Sequence, residues 1–158
     1  MFPVMALWPA AEPNGVLISN GLATMGFALP SAIGAALLDK TKPVIAFTGD
    51  GGLLICLGEL RTAARERVPV RVIVFDDNVL SLIRIKQLQR NYPTESTFNG
   101  DVNWAAVGAG FGIPAVEVRT EPELRAALRD TRDRSGPVLI AAKITADTYP
   151  ATMRALRG

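Results

Sequence analysis

The stretch that decides the fold is residues 44–54, VIAFTGDGGLL. An apolar run of four residues ends in Thr-Gly-Asp-Gly-Gly, and an apolar pattern with helical spacing follows. Glycine loses more conformational freedom on folding than any other residue, so three glycines in five residues indicate a tight turn or a close backbone approach to another group. The stretch predicts a β-strand, a glycine-rich turn that holds one acid, and then a helix.

A second strand follows at residues 69–77, PVRVIVFDD, which also begins at a proline and ends in aspartate. The segment between the two strands, residues 53–67, carries apolar side chains at helical spacing: Leu53, Leu57, Leu60 and Ala64. Residues 43–77 therefore predict a strand–helix–strand unit, in which the strands run parallel and the crossover is right-handed.

The rest of the chain continues the alternation of helices and strands. We predict a helix over residues 27–38, a second over 80–90, a loop over 91–101, a short helix that ends at Gly110 or Gly112, a capping box at Thr120–Glu123 ahead of a helix to about residue 134, and strands at 16–18, 116–118 and 136–144. These elements predict one three-layer α/β domain over residues 1–158, with a mostly parallel sheet between helices and an irregular lead-in over residues 1–15.

Composition excludes several classes of function. The 158 residues are 49% hydrophobic and carry a net charge of +2, from 17 basic and 15 acidic residues without a basic block. We therefore expect no nucleic-acid partner. No apolar run approaches the length of about 18 residues that a membrane span needs, so we expect no membrane partner. The first residues have no basic region and no small-residue cleavage site, and we expect a cytoplasmic protein.

The sequence has one cysteine and no histidine, so a metal would have to be held by oxygen atoms, which favours a hard cation. Asp50 and Asp77 each follow a predicted parallel strand, and the carboxyl ends of such strands meet at one edge of the sheet. Two adjacent carboxylates repel each other unless a cation joins them. Glycines at the start of a helix favour a bound anion. Together these features predict a Mg²⁺–diphosphate site.

Other interpretations of the glycines stay open at this point. The turn could be purely structural, or the chain could be a different α/β protein that binds a phosphorylated ligand. Two common motifs fit less well. A dinucleotide-binding fingerprint needs a glycine where Leu54 stands, and the Gly-Lys-Ser/Thr of a P-loop is absent.

Two longer segments carry a family resemblance. GDGGLLICLGELRTAARERVPVRVIVFDDN, which begins at residue 49, resembles the diphosphate-binding motif of thiamine diphosphate enzymes, where GDG precedes an Asn-Asn pair. NGLATMGFALPSAIGAAL, which begins at residue 20, is similar to the segment before GDG in the group of acetolactate synthase, benzoylformate decarboxylase and pyruvate decarboxylase. The resemblance spans about residues 16–145 and implies a thiamine diphosphate-binding fold that is truncated at its N-terminus.

The resemblance implies a role for each matching position. Mg²⁺ would be held by the Asp50 side chain, by Asp77 in place of the family's second Asn, and by the carbonyl of Val79, with Asn78 as the alternative to Asp77. The residues expected to contact cofactor or substrate are Gly49, Gly51 and Gly52 at the diphosphate, Ala23 at the aminopyrimidine, Met25 under the bent cofactor, and Leu82 and Ile83 in the substrate pocket.

Packing is the alternative role for several of these residues. Met25, Leu82 and Ile83 could be ordinary core residues. Lys86, one helical turn after Ile83, could favour a 2-oxo acid with a second anionic group or could be a solvated surface lysine.

The resemblance also implies what is missing from this chain. Family members carry an activating glutamate on a pyrimidine-binding domain, usually of another subunit, and no residue of this chain matches it. We therefore expect the C-terminal domain or fragment of a 2-oxo acid decarboxylase or carboligase, inactive alone and homo-oligomeric as a full enzyme. The alternatives are a non-catalytic cofactor-binding or assembly module, and the diphosphate-binding subunit of a split decarboxylase.

Overall fold

The structure is a computed structural model that describes residues 2–157; Met1 and Gly158, the ends of the predicted domain, lie outside it. Its sheet has four strands: β1 (Val44–Gly49), β2 (Val70–Asp76), β3 (Ala115–Val118) and β4 (Val138–Lys143). They are ordered β1-β2-β4-β3, and every adjacent pair is parallel. The predicted α/β class with a parallel sheet is confirmed.

Eight α-helices surround the sheet within the described range. They are α1 (Phe2–Leu7), α2 (Ala28–Leu38), α3 (Asp50–Ile55), α4 (Glu59–Glu66), α5 (Ser81–Gln89), α6 (Trp104–Phe111), α7 (Glu121–Thr131) and α8 (Tyr149–Arg157), with a 3₁₀ turn at Glu95–Thr97. Buried residues of α2, α4 and α6 form one core with the sheet, and residues of α7 form a second core on the opposite face. The sheet therefore lies between two layers of helices, which is the three-layer arrangement predicted from the sequence.

Burial on both faces explains the composition of the central strands. All residues of β2 are buried except half-buried Phe75, and β4 is buried from Val138 to Ala142. Parallel strands covered by helices on both sides are typically apolar runs, as β4 is from Val138 to Ala142, whereas β2 also buries Arg71 and Asp76. The capping box at α7 is present: the Thr120 hydroxyl accepts from the Glu123 N–H at 3.4 Å, and the Glu123 carboxylate accepts from the Thr120 N–H at 3.2 Å.

The structure departs from the sequence prediction in four places. The single helix expected over residues 53–67 is two helices, α3 and α4, because a tight turn at residues 56–58 includes Gly58. The lead-in expected to be irregular contains α1, and α8 had not been predicted. Residues 16–18 are not a strand, because β1 pairs only with β2 in the described part of the chain.

Candidate functional site

A cavity of about 340 Å³ opens at the carboxyl edge of the sheet, beside the ends of β1 and β2. Its lining brings together every site residue predicted from the sequence: Ala23, Met25, Gly49, Asp50, Gly51, Gly52, Asp77, Val79, Leu82 and Ile83. The parallel strands deliver Asp50 and Asp77 to the same edge, and the loop before α2 supplies Ala23 and Met25. The roles of these residues stay predictions; their proximity is a feature of the fold.

Asp50 is the first residue of α3 and is only 4% exposed. Its Oδ1 accepts from the Gly51 N–H at 2.7 Å. Its Oδ2 is buried and has no hydrogen bond of normal geometry among the described residues, although the Asn99 side chain lies near enough to lower the pKa of Asp50. Burial raises the pKa of Asp50, the Asn99 side chain and the Gly51 N–H oppose this rise, and the charges of Asp77 and Asp76 add to it. A bound cation would satisfy the unpaired oxygen and offset the burial.

Asp77 follows β2 and lines the same cavity. Its Oδ1 accepts from the Val79 N–H at 3.2 Å, and its Oδ2 accepts a short hydrogen bond from the Ser81 hydroxyl at the start of α5. These bonds fix the Asp77 carboxylate at the start of the turn between β2 and α5. A carboxylate oxygen has lone pairs for more than one partner, so these contacts leave capacity for a metal.

Asp76 and Asn78 do not line the cavity. The Asp76 carboxylate is paired with Lys143 at 2.6 Å and accepts from the Trp104 indole N–H at 2.7 Å, and Asn78 donates to Asp101 at 2.7 Å. No lysine or arginine is adjacent to Asp76 in the sequence. Its partners come from α6 and β4, and nothing in the local sequence signals them.

Two glycines lie close against neighbouring side chains. A methyl group on Gly51 would collide with the end of the Leu80 side chain and lie 3.2 Å from the Met25 methyl. A methyl group on Gly52 would lie 2.7 Å from the Thr48 hydroxyl. Gly49 differs, since it has an ordinary extended backbone and would meet only the Phe75 carbonyl, at 3.9 Å. A side chain at residue 52 would therefore press on Thr48, whereas at residue 51 the flexible end of Leu80 would have to move.

The other predicted residues at the cavity, apart from Val79, are apolar and lie outside the buried cores. Met25 is 44% exposed, Ile83 is 42% exposed and Leu82 is half-buried, so none of the three belongs to the buried cores. Ala23 adopts a left-handed backbone conformation with φ of 51°, which is uncommon outside glycine and asparagine. Lys86 is exposed and does not line the cavity.

The donor set fits a hard cation. Two carboxylates and a backbone carbonyl supply only oxygen ligands, and Mg²⁺ commonly binds one or two carboxylates while water and phosphate oxygens complete its shell. In the described range, no three histidine, cysteine or acidic side chains cluster in a way that could hold a metal by themselves. A metal at the predicted site would therefore need further oxygen ligands, from water or from a bound phosphate.

None of the helices between residues 2 and 157 has the length and apolar character to cross a membrane. The cytoplasmic location expected from the sequence stays a prediction.

Comparison with known proteins gives consistent results. The family described as "Thiamine pyrophosphate enzyme, C-terminal TPP binding domain" matches residues 2–142. The chain is 35% identical over 147 residues to the acetolactate synthase isozyme 1 large subunit of Escherichia coli, covering 90% of this chain and 26% of that protein. It is 35% identical over 129 residues to the acetolactate synthase of Bacillus subtilis, covering 82% of this chain and 23% of that protein.

Solved structures show the same fold. The benzoylformate decarboxylase from Polynucleobacter necessarius matches with a TM-score of 0.74 and 22% identity, covering 80% of this chain and 25% of that chain. The chain thus spans about a quarter of the length of these relatives. The family match extends over most of the 158 residues. The chain belongs to the family of thiamine pyrophosphate enzymes, as a C-terminal TPP-binding domain.

Proposed function

We propose that the chain binds Mg²⁺ and the diphosphate of thiamine diphosphate in the cavity at the carboxyl edge, as the C-terminal part of a 2-oxo acid decarboxylase or carboligase. The observation that carries the proposal is the buried, unpartnered Oδ2 of Asp50, which lies in a cavity that Asp77 also lines. An isolated buried carboxylate oxygen is costly, and a divalent cation supplies the charge and the bond that it lacks.

The metal would be held by the carboxylates of Asp50 and Asp77 and by the carbonyl of Val79. Gly51 and Gly52, at the start of α3, would let the diphosphate approach the backbone, because neither adds a side chain to the cavity lining. Gly49 would line the same part of the cavity. This division matches the chemistry of a Mg²⁺–diphosphate pair, in which the phosphate oxygens complete the metal shell.

The apolar side of the cavity would hold the rings of the cofactor. Met25 would contact the cofactor and hold it in its bent shape, and the carbonyl of Ala23 would meet the aminopyrimidine. Leu82 and Ile83 would contact the substrate. Thiamine diphosphate, when bound, supplies the carbanion chemistry of 2-oxo acid conversion. The residues of this chain bind it, orient it and exclude water from one side.

A partner is part of the proposal. The sequence has no histidine, and the acids of α4, Glu59 and Glu66, do not line the cavity. The segment beside the cavity exposes Leu22 at 92% and Phe27 at 37%, so apolar surface extends beyond the opening. We propose that a pyrimidine-binding domain or subunit covers this surface, supplies the activating acid and completes a homo-oligomeric enzyme.

Calorimetric titration of the purified chain with thiamine diphosphate tests the binding proposal. We expect weak binding that requires Mg²⁺, disappears in EDTA and is lost in Asp50→Ala. Asp130→Ala is the matched control, because Asp130 is an exposed acid on α7 that does not line the cavity. Equal binding with and without Mg²⁺ would contradict the proposal and favour an unrelated phosphate-binding protein.

A second measurement tests the need for a partner. The chain with Mg²⁺, thiamine diphosphate and a panel of 2-oxo acids should release no CO₂ and should not accelerate exchange of the thiazolium C2 proton. Adding a pyrimidine-binding partner should restore both activities if the chain is half of an enzyme. Continued inactivity with the partner bound would favour a non-catalytic cofactor-binding module, whereas enzyme-like exchange by the chain alone would show that it has its own activating acid.

A further inference from the structure

The turn between β2 and α5 divides its residues between two sides. Asp77 and Val79 line the cavity, whereas Asp76 and Asn78 do not. Asp76 and Asn78 bond to the body of the protein, the first to Lys143 and Trp104 and the second to Asp101. Asp76 and Asn78 thus anchor the turn, and the residues that follow each of them line the cavity.

Asp76 makes several anchoring contacts, in addition to the backbone bonds that join Asn78 and Leu80 to residues 97–99. Its residue exposure is 1%, and its Oδ2 lies 2.6 Å from Lys143 Nζ and 2.7 Å from Trp104 Nε1. Its Oδ1 accepts from the Asn78 N–H at 3.2 Å, and its backbone carbonyl accepts from the Ile144 N–H at 3.0 Å. Two distant elements, β4 and α6, therefore converge on the residue directly before Asp77.

The pairing with Lys143 follows from the sheet itself. Asp76 and Lys143 are the last register pair of β2 and β4, so the ammonium reaches the carboxylate across the sheet. Without Lys143, the residue beside Asp77 would add a third negative charge next to Asp50 and Asp77. The ion pair between Asp76 and Lys143 holds the turn and balances the negative charge of Asp76.

We propose that Asp76, held by Lys143 and Trp104, is a positioning residue that fixes the turn so that the Asp77 carboxylate and the Val79 carbonyl face the metal. This inference rests on the proposed function, in which the cavity binds Mg²⁺. Side chains that orient the ligands of a metal typically change its affinity by about 10- to 100-fold when they are altered.

The first test needs no ligand. Asp76→Asn keeps the size of the side chain but leaves one oxygen where the carboxylate has two, so it cannot accept from Asn78 on one side and from Trp104 and Lys143 on the other. Hydrogen exchange should become faster at the Asn78 and Val79 amides in this variant. The control is Val138→Ala, which removes buried volume at the far end of β4 and should leave these amides unchanged. Unchanged exchange in Asp76→Asn would overturn the inference.

The second test measures Mg²⁺ affinity at saturating thiamine diphosphate, below the unfolding range of every variant. Asp76→Asn should weaken Mg²⁺ binding by about 10- to 100-fold, whereas Val138→Ala should lower the melting temperature without changing the affinity. The double variant Asp76→Asn with Lys143→Met removes the unpaired ammonium and should regain thermal stability, but its Mg²⁺ affinity should stay low.

The two tests separate the inference from the proposed function. If affinity recovers together with stability in the double variant, Asp76 acts only through folding and the inference is wrong. If the wild-type chain shows no Mg²⁺-dependent binding, the proposed function fails, and the exchange experiment still decides whether Asp76 fixes the turn.

Discussion

Two buried charges at opposite edges of the sheet differ in their hydrogen bonding. At the amino end of β2, Arg71 is 3% exposed, and its guanidinium donates to four backbone carbonyls at the end of α7 and in the segment that follows, those of Thr131, Arg132, Arg134 and Gly136. At the carboxyl edge, Asp50 is 4% exposed and leaves one carboxylate oxygen without a hydrogen-bond partner among the described residues. The charge of Arg71 is thus satisfied within the fold, whereas that of Asp50 is not.

Removing the Arg71 guanidinium at the amino edge of the sheet should have the largest effect on stability. Arg71→Met removes the donor of four partly buried hydrogen bonds to backbone carbonyls. Each lost bond to a charged group costs about 1.5–3 kcal/mol before relaxation. We expect the free energy of unfolding to fall by at least about 3 kcal/mol, measured by urea denaturation. Arg125→Met, which breaks only the exposed pair with Glu121, is the control and should stay within about 0.5 kcal/mol of the wild type. Equal losses in the two variants would contradict the comparison.

Removing a ligand at the carboxyl edge should affect binding instead. Asp77→Ala should weaken Mg²⁺–diphosphate binding by at least about tenfold, or about 1.4 kcal/mol, because Asp77 lines the cavity. Asn78→Ala should change it far less, because Asn78 is turned toward Asp101. Titration calorimetry on both variants decides the order, and the reverse order would assign the ligand to Asn78.

Neutralising Asp50 should stabilise the metal-free protein, whereas neutralising Arg71 should destabilise it. Burial raises the pKa of Asp50, so folding favours its neutral form. That contribution to stability is fully present below the unfolded pKa and is lost as the pH rises through the raised folded pKa. Metal-free Asp50→Asn should therefore melt a few degrees above the wild type at pH 7, with a smaller difference at pH 4, and should not bind Mg²⁺. A lower melting temperature at pH 7 would show that the carboxylate is structural.

The smallest effect should come from Lys86→Met. Lys86 is exposed and outside the cavity lining, although α5 also carries Leu82 and Ile83 at the cavity. We expect the assembled enzyme to rank charged and neutral 2-oxo acids as the wild type does, in a competition assay. A loss of preference for doubly charged acids would instead support the role for Lys86 considered from the sequence.

The sequence predicts the parts of this molecule that depend on local pattern. The two strands and the capping box are encoded within short windows, and each is present, whereas β1 continues directly into α3 at Asp50 without the predicted glycine turn. Asp50 and Asp77 meet because parallel strands bring their carboxyl ends to one edge. The other site residues, Ala23, Met25, Val79, Leu82 and Ile83, were expected only from the family resemblance. The break between α3 and α4 was missed, because the apolar spacing continues through Gly58 as if one helix were present.

The two buried charge contacts could not be predicted, because each joins residues that are distant in sequence. Arg71 reaches the turn after α7, and Asp76 reaches Lys143 only through the register of β2 against β4. Sequence pattern places Asp76, Asp77 and Asn78 in one acidic turn and carries no information about which side chain faces the cavity. That choice is made by tertiary contacts with α6 and β4.

The contact between Trp104 and Asp76 has an optical consequence. Trp104 is 1% exposed and bonded to the turn, whereas the other tryptophan, Trp8, is 46% exposed and packs against Phe47. A Trp8→Phe background would leave one indole, in a dry environment, with its N–H on the residue beside Asp77. Its emission would report on the turn from inside the protein, so occupancy of the cavity could be followed by intrinsic fluorescence without a label.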